Sequence, residues 1–494
     1  MKYDVIIIGS GLGGLECGYI LARKGYSVCV LEKNLQTGGC LQTFRRGDTV
    51  FDTGFHYVGG LEEGQFLHRI FRYFDLLDLP WHQLDENGFA EVVFNDKSYF
   101  FASGHQRFVE TLARDFPHRR AQLAKYAEFL KQVGDNMGRG FMPGEDSAVF
   151  AGSLFERSAY SFLQETIDDP LLLQVLSGAS LTMELCAEKL PLYVFAQINN
   201  SFIQSAWRLR GGGSLIAEKL AAGIRKMGGA VRTKTAATRL ITKGNSIVAV
   251  ECNGEEQLES RYVISNVHPA LTLSLLNEDV PVRKTYRNRI CNLPNTYGMF
   301  TVHLQLKENT VPYLNRMIYL HRGQDVWNCC RHRPPAETAA ALISYQTPPA
   351  GESYTANIDI LTPMLWEEVA AWSDTSVGNR GAAYRCFKEQ KAEACIALAA
   401  EKIPNLKQSI KKIYTSTPLT YRDYTGTRNG AAYGIQKDCT NVLLTLLPPQ
   451  TPIPNLLLTG QNLNLHGILG VSITSFFTCA KIVGMENLIS ELME

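Results

Sequence analysis

Between the apolar run Val5-Ile6-Ile7-Ile8 and the helical stretch Leu15–Lys24 stands Gly9-Ser10-Gly11-Leu12-Gly13-Gly14, a G-x-G-x-x-G whose glycines fall at 9, 11 and 14. A β-branched run of this length is a strand buried on both faces, and Gly25 ends the helix before a second strand, Ser27–Leu31. In such a unit the first glycine permits a tight turn, the second lets backbone approach a pyrophosphate, and the third allows close helix–strand packing. The helix N-terminus then offers free N–H groups to phosphate. Glu32 ends the second strand 18 residues after Gly14, where a carboxylate accepts hydrogen bonds from a ribose. A flexible glycine turn beside a surface glutamate explains the glycines but not their agreement with strand, helix and acid. A doubly wound parallel sheet of the α/β class is therefore expected from the first residues.

A nicotinamide domain would continue with another helix and strand. This chain continues instead with Gly38-Gly39-Cys40-Leu41-Gln42-Thr43-Phe44 and Val50-Phe51-Asp52-Thr53-Gly54-Phe55-His56-Tyr57-Val58-Gly59-Gly60. Loop and short strands rich in glycine suit a longer nucleotide, FAD.

Beyond this start the pattern is mixed. Gly104 to about Lys131 reads as helix, and Met142–Ser147 as a loop of turn formers. Ala230–Thr233, Ser246–Val250 and Tyr262–Ile264 read as strands, and Ala382–Lys402 as a long helix. At 494 residues, 45% apolar and 20% charged, two domains are expected. The division runs 1–75, 205–275 and 425–494 for a discontinuous FAD-binding domain, and 76–204 with 276–424 for an inserted α+β substrate domain.

Lys plus Arg number 49 against 48 Asp plus Glu, and a net charge of +1 gives no basic field for nucleic acid. Twelve cysteines without a C-x-x-C pair form neither a metal site nor a disulfide framework, so a reducing cytoplasm is expected. Met1-Lys2-Tyr3-Asp4 enters a strand at once, without a signal-peptide pattern. Ile468–Val483, the most apolar late stretch, is shorter than the roughly 20 residues a membrane span requires and reads as a buried helix.

Tyr3–Gly64, with Gly38-Gly39-Cys40 and Phe51-Asp52-Thr53-Gly54-Phe55-His56-Tyr57-Val58-Gly59, resembles the retinol saturase branch of the carotenoid isomerase and phytoene desaturase family of FAD-dependent oxidoreductases. The resemblance returns at Trp207–Ser214, Val263–Asn266, Thr417–Thr420, Gly430–Gly434, Leu458–Asn462 and Gly467–Gly470. It implies a Rossmann-like FAD-binding domain in which Gly9, Ser10, Gly11 and Gly14 hold the pyrophosphate and Glu32 the ribose, with Lys33 alongside. Gly38, Gly39 and Thr43 would approach the flavin, Val231 would meet the adenine through its backbone, and Gly460, Asn462, Leu469, Gly470 and Val471 would border the ribityl chain and flavin. Family members carry an aspartate just after the glycine at 460, where this chain has Gln461-Asn462, which puts amides in place of a charged contact.

The implied reaction is saturation of a double bond in a lipophilic polyene, with carotenoid isomerisation or desaturation as the alternative and a non-catalytic lipid carrier on the same fold as the remote one. His56 and Tyr57 are the candidate proton donors, though a histidine in such a segment is more often a hydrogen-bonded packing residue. His466 and Tyr433 follow as lesser candidates. Arg208 and Arg210 precede Gly211-Gly212-Gly213-Ser214, which lacks the P-loop pattern and reads as a turn before the helix Leu215–Lys226. With no second dinucleotide motif, NAD(P)H as electron donor is an expectation without a motif. Leu190–Ala196 reads as a core helix, with peripheral contact at the inner face of a membrane as its other use.

Overall fold

A computed structural model describes residues 2–140, 145–277, 280, 282–328 and 334–493. The opening βαβ unit forms as the sequence predicts: β1 (Lys2–Ile8), α1 (Leu12–Arg23) and β2 (Val28–Leu31). Val5, Ile6 and Ile7 are fully buried, as a strand covered on both faces requires. Strand order in the first sheet is Ala230–Arg232, β2, β1, Glu256–Ser265, Ser246–Cys252 and Ala237–Lys243, with Leu456–Leu458 on the distal half of Glu256–Ser265. The inner pairs are parallel and the last two antiparallel, so the sheet is a parallel core extended by a hairpin.

The second sheet has seven strands in the order Ile410–Ser416, Gly298–Leu306, Asn357–Met364, Ala340–Tyr345, Met317–His321, Ala90–Phe94 and Lys97–Phe101. Its central strands are buried on both faces because helices cover one side and β3 (Thr43–Arg46) with β4 (Thr49–Asp52) approaches the other. On that second side His303 Nδ1 lies 2.7 Å from Asp359 Oδ1 and Nε2 lies 3.2 Å from Ser416 Oγ, while Phe44 and Phe51 meet the imidazole edge-on. A three-stranded sheet of Val58–Gly59, Ala206–Leu209 and Trp81–Gln83 ties the two halves together.

Two expectations are corrected. The helix expected over 104–131 is two, His105–Ala113 and Arg120–Gly140, separated by a 3-10 turn at Pro117–Arg119. Pro117 has no N–H to donate and pushes Phe116 out of the helical region, to φ −128°, ψ 61°. Of the loop expected over Met142–Ser147, residues 142–144 lie outside the described residues, and Glu145 already opens a helix running to Phe155. The closing apolar stretch is the helix Gly467–Val483, packed against α1, and among the described residues no helix is long and apolar enough to cross a membrane.

Candidate functional site

The C-terminal ends of β1, β2 and Glu256–Ser265 point the same way, and the loops that leave them enclose the head of one cavity of about 430 Å³. Gly9 turns the chain at φ +92°, and Gly11 precedes α1 without a side-chain cap, leaving first-turn amides for an anion. A Cβ on Gly14 would stand 2.0 Å from the Gly9 carbonyl oxygen, so this glycine serves the packing of helix on turn. Gly38 N–H donates to the Ser10 carbonyl at 2.9 Å, and a Cβ on Gly39 would lie 3.2 Å from Gly11 Cα. The two glycine segments thus abut and leave backbone as the wall.

Asn266, at the end of its strand, completes this wall. Its amide would lie 2.7 Å from a Cβ on Gly11, 2.8 Å from one on Gly13 and 2.4 Å from one on Gly460. The bare Cα of Gly11, expected to admit a pyrophosphate, therefore also admits a neighbouring side chain. Asn266 stands in the resembling Val263–Asn266 segment but was not among the predicted site residues; its position where a parallel strand ends beside β1 is the signal that could have found it.

Glu32 lies in the cavity wall, its Oε2 accepting from the Ser10 hydroxyl at 2.5 Å and its Oε1 from Asn34 N–H at 2.8 Å. Lys33 lines the same end, where its ammonium donates to the Asp423 carbonyl. Gly460 and the first turn of the helix Gly467–Val483, with Leu469, Gly470 and Val471, bring a second helix N-terminus to the cavity. Asn462 also lines it, its Oδ1 accepting from Ile435 N–H at 3.2 Å, and Gln461 lies beside it in the same wall.

Three predicted cofactor residues are not in the cavity wall. Gly14 lies behind it. Thr43 turns toward the start of the helix Ser214–Lys226, its hydroxyl 3.3 Å from Ser214 Oγ, because pairing of β3 with β4 fixes its direction. Val231 pairs with Val30 on the edge strand, and Thr235, Ala236 and Ala237 form the wall at that end.

Past the glycines the cavity becomes apolar. Met299, Leu342 and Leu361 from the second sheet face Ile198 and Phe202 of the helix Leu192–Gln204. Leu190–Ala196 leads into this helix, whose residues Leu192, Val194 and Phe195 are core. The Tyr57 ring stacks on Phe202 at 4.1 Å, and Tyr433 lies over His466 at 4.7 Å. Polar atoms here are few: His56 Nε2, Thr182 Oγ1 and Gln197 Oε1 are buried without a hydrogen-bond partner. Burial lowers both His56 and His466 to about 4, so both imidazoles are neutral at neutral pH. Burial pushes the Cys40 thiol up to about 11, which keeps it a thiol. Arg208 and Arg210 stand outside the wall: Arg208 donates to the carbonyls of Tyr345 and Arg316, and Arg210 Nη2 lies 3.1 Å from His82 Nδ1.

These features fit FAD: backbone walls that a Cβ would fill, two helix N-termini, an acid at the end of β2, and a long cavity continuing into an apolar arm. The family described as flavin containing amine oxidoreductase matches residues 12–358. The chain is 27% identical to all-trans-retinol 13,14-reductase of Rattus norvegicus, across 99% of this chain and 87% of that protein. Prolycopene isomerase 1 of an Oncidium hybrid cultivar is 23% identical across 88% of this chain and 75% of its own length. A triple mutant of putrescine oxidase shares the fold, with a TM-score of 0.65 at 16% identity, over 98% of this chain and 99% of that one.

Proposed function

The chain belongs to the flavin-containing amine oxidoreductases, and from that premise we propose that it reduces a carbon–carbon double bond of a lipophilic polyene, retinoid-like or carotenoid-like, with FAD as cofactor. The observation that carries this reading is a single cavity joining the glycine wall and Glu32 to an apolar arm lined by Phe202, Met299, Leu342 and Leu361, together with nearly full-length similarity to retinol reductases.

FAD, when bound, would supply the two-electron chemistry of a hydride donor. The chain's part is to bind, orient and protonate. Ser10, Gly11, Gly38 and Gly39 would hold the pyrophosphate, Glu32 the ribose, and Gly460 with Leu469–Val471 the flavin end. The apolar arm excludes water and aligns a conjugated chain between the Tyr57–Phe202 pair and the Tyr433–His466 pair. A proton for the second alkene carbon comes from a group on this wall. NAD(P)H is the electron donor we assign to the reading, reaching the protein transiently because the chain carries one dinucleotide motif.

Isomerisation is the second reading, favoured by the prolycopene isomerase relatives. The test is an absorption spectrum of the purified protein, then anaerobic reduction and mixing with a panel of polyenes. Reoxidation with a product two hydrogens heavier supports saturation, unchanged mass with altered geometry supports isomerisation, and a protein that takes up no flavin overturns both. A cytoplasmic setting with peripheral contact at a membrane's inner face belongs to the same proposal. Leu443, 89% exposed, and its neighbour Leu444 are the apolar side chains that would enter the lipid.

A further inference from the structure

Where Tyr57 lines the cavity, it shares one hydrogen bond with a second tyrosine behind the wall. Tyr57 Oη and Tyr319 Oη lie 2.6 Å apart, and among the described residues neither hydroxyl has another partner. Two phenols bring two protons, and the pair uses one between them. Tyr319 is fully buried on the strand Met317–His321, where an O–H pointing at nothing is costly. The economical arrangement has Tyr319 donating to Tyr57, which leaves the Tyr57 proton free on the cavity wall. Stacking on Phe202 accounts for the Tyr57 ring, but a phenylalanine would stack as well; the hydroxyl needs a separate reason.

Behind the pair stands Arg208, 3% exposed. Its guanidinium donates to the Tyr345 carbonyl at 2.6 Å, the Arg316 carbonyl at 3.0 Å and Met317 Sδ at 2.8 Å, with the Tyr313 hydroxyl also beside it, and Nε has no partner. Among the described residues no carboxylate pairs with it. The Asp52 carboxyl feels its charge from beyond ion-pair distance. Burial raises both Tyr57 and Tyr319, and the field of the Arg208 cation works against that rise at each. His56, the other donor candidate, is a neutral imidazole whose Nε2 has no partner to relay a proton.

We propose that Tyr57 is the catalytic proton donor for double-bond reduction and that Tyr319 and Arg208 are positioning residues that hold the negative charge left on its oxygen. The inference rests on the polyene-reduction reading. One alkene carbon takes the hydride from the reduced flavin and the other takes the Tyr57 proton. The π bond breaks, two C–H bonds form, the alkene gains two electrons and the flavin loses them. The Tyr57 phenolate, held by the Tyr319 O–H and the Arg208 charge, regains a proton from water.

The experiment uses the holoenzyme, reduced with dithionite and mixed anaerobically with all-trans-retinol as probe. Tyr57→Phe is expected to leave the flavin spectrum and dithionite reduction unchanged while slowing reoxidation by about 100-fold or more, and Tyr319→Phe by about tenfold. A second readout needs no turnover: 3-fluorotyrosine placed at position 57 of the oxidised, substrate-free holoenzyme, with its fluorine resonance followed against pH. Tyr319→Phe and Arg208→Gln are each expected to move that ionisation to higher pH; Arg208→Lys replaces the latter if Arg208→Gln does not fold. Wild-type reoxidation in Tyr57→Phe, or a fluorine titration that Tyr319→Phe leaves in place, overturns the proposal. If the unmutated enzyme gives retinol no electrons, the substrate reading fails on its own, and the fluorine titration still decides the pair.

Discussion

Ser10 holds Glu32 twice over: its hydroxyl donates to Glu32 Oε2 at 2.5 Å, and its backbone N–H points at the same oxygen at 3.2 Å. The residue between two phosphate-loop glycines thus aims the acid at the end of β2. Hydrogen bonds to a charged group are worth about 1.5–3 kcal/mol, some ten- to hundredfold in affinity. Ser10→Ala is expected to weaken FAD binding by about tenfold and Glu32→Ala by more, measured by flavin fluorescence as FAD is titrated into deflavinated protein. Unaltered affinity in Glu32→Ala would remove it from the ribose site.

Glu16 is fully buried between α1 and the helix Gly467–Val483, where it accepts from the hydroxyls of Ser472 at 2.6 Å and Ser475 at 2.9 Å. Burial raises it from 4.5 to about 8, opposed by the two serines. Below pH 4.5 both folded and unfolded chains hold this proton. Between 4.5 and 8 the unfolded chain loses it first, so stability falls as pH rises, by at most about 1.4 kcal/mol per unit, and above 8 the penalty is constant. Glu16→Gln, compared with wild type at each pH by denaturant unfolding, is expected to gain relative stability from pH 5 to pH 8 and to match wild type near pH 4. A difference independent of pH would refute the assignment.

Glycines that look alike in the sequence differ in cost. A Cβ on Gly14 meets the Gly9 carbonyl oxygen at 2.0 Å, where backbone itself must move, whereas one on Gly25 meets nothing within 4 Å and faces only the strain of φ +82°. Gly14→Ala is therefore expected to cost several-fold more stability than Gly25→Ala, whose penalty is on the order of 1–2 kcal/mol. Thermal unfolding of the two variants in the same buffer decides between them.

Leu443 and Leu444 contribute little to the core, so charging them leaves the fold alone. The double substitution Leu443→Asp, Leu444→Asp is expected to keep melting temperature and flavin content while lowering co-flotation with phosphatidylcholine vesicles several-fold. Equal flotation of both proteins would dismiss this patch as a lipid contact.

What the sequence determined by itself is local. Val5–Ile8, the glycines at 9, 11 and 14, and Glu32 lie within one βαβ unit, where strand pattern, turn conformation and helix start are set by neighbours in the chain, so the parallel sheet and the head of the cavity were legible. Thr43 and Val231 stand outside the cavity wall, because whether a residue on a short strand reaches a cavity depends on the pairing of β3 with β4 and on where the edge strand ends. Asn266 is bonded through its backbone to Ile8, more than 250 residues earlier, and only that pairing carries its amide to Gly11 and Gly460. Tyr57 and Tyr319 are 262 positions apart, and no periodicity links them. Their shared hydrogen bond, the buried charge of Arg208 and the apolar arm arise where the second sheet closes over the loops of the first, since burial and proximity are properties of packing between distant segments and leave no mark in the residues taken one stretch at a time.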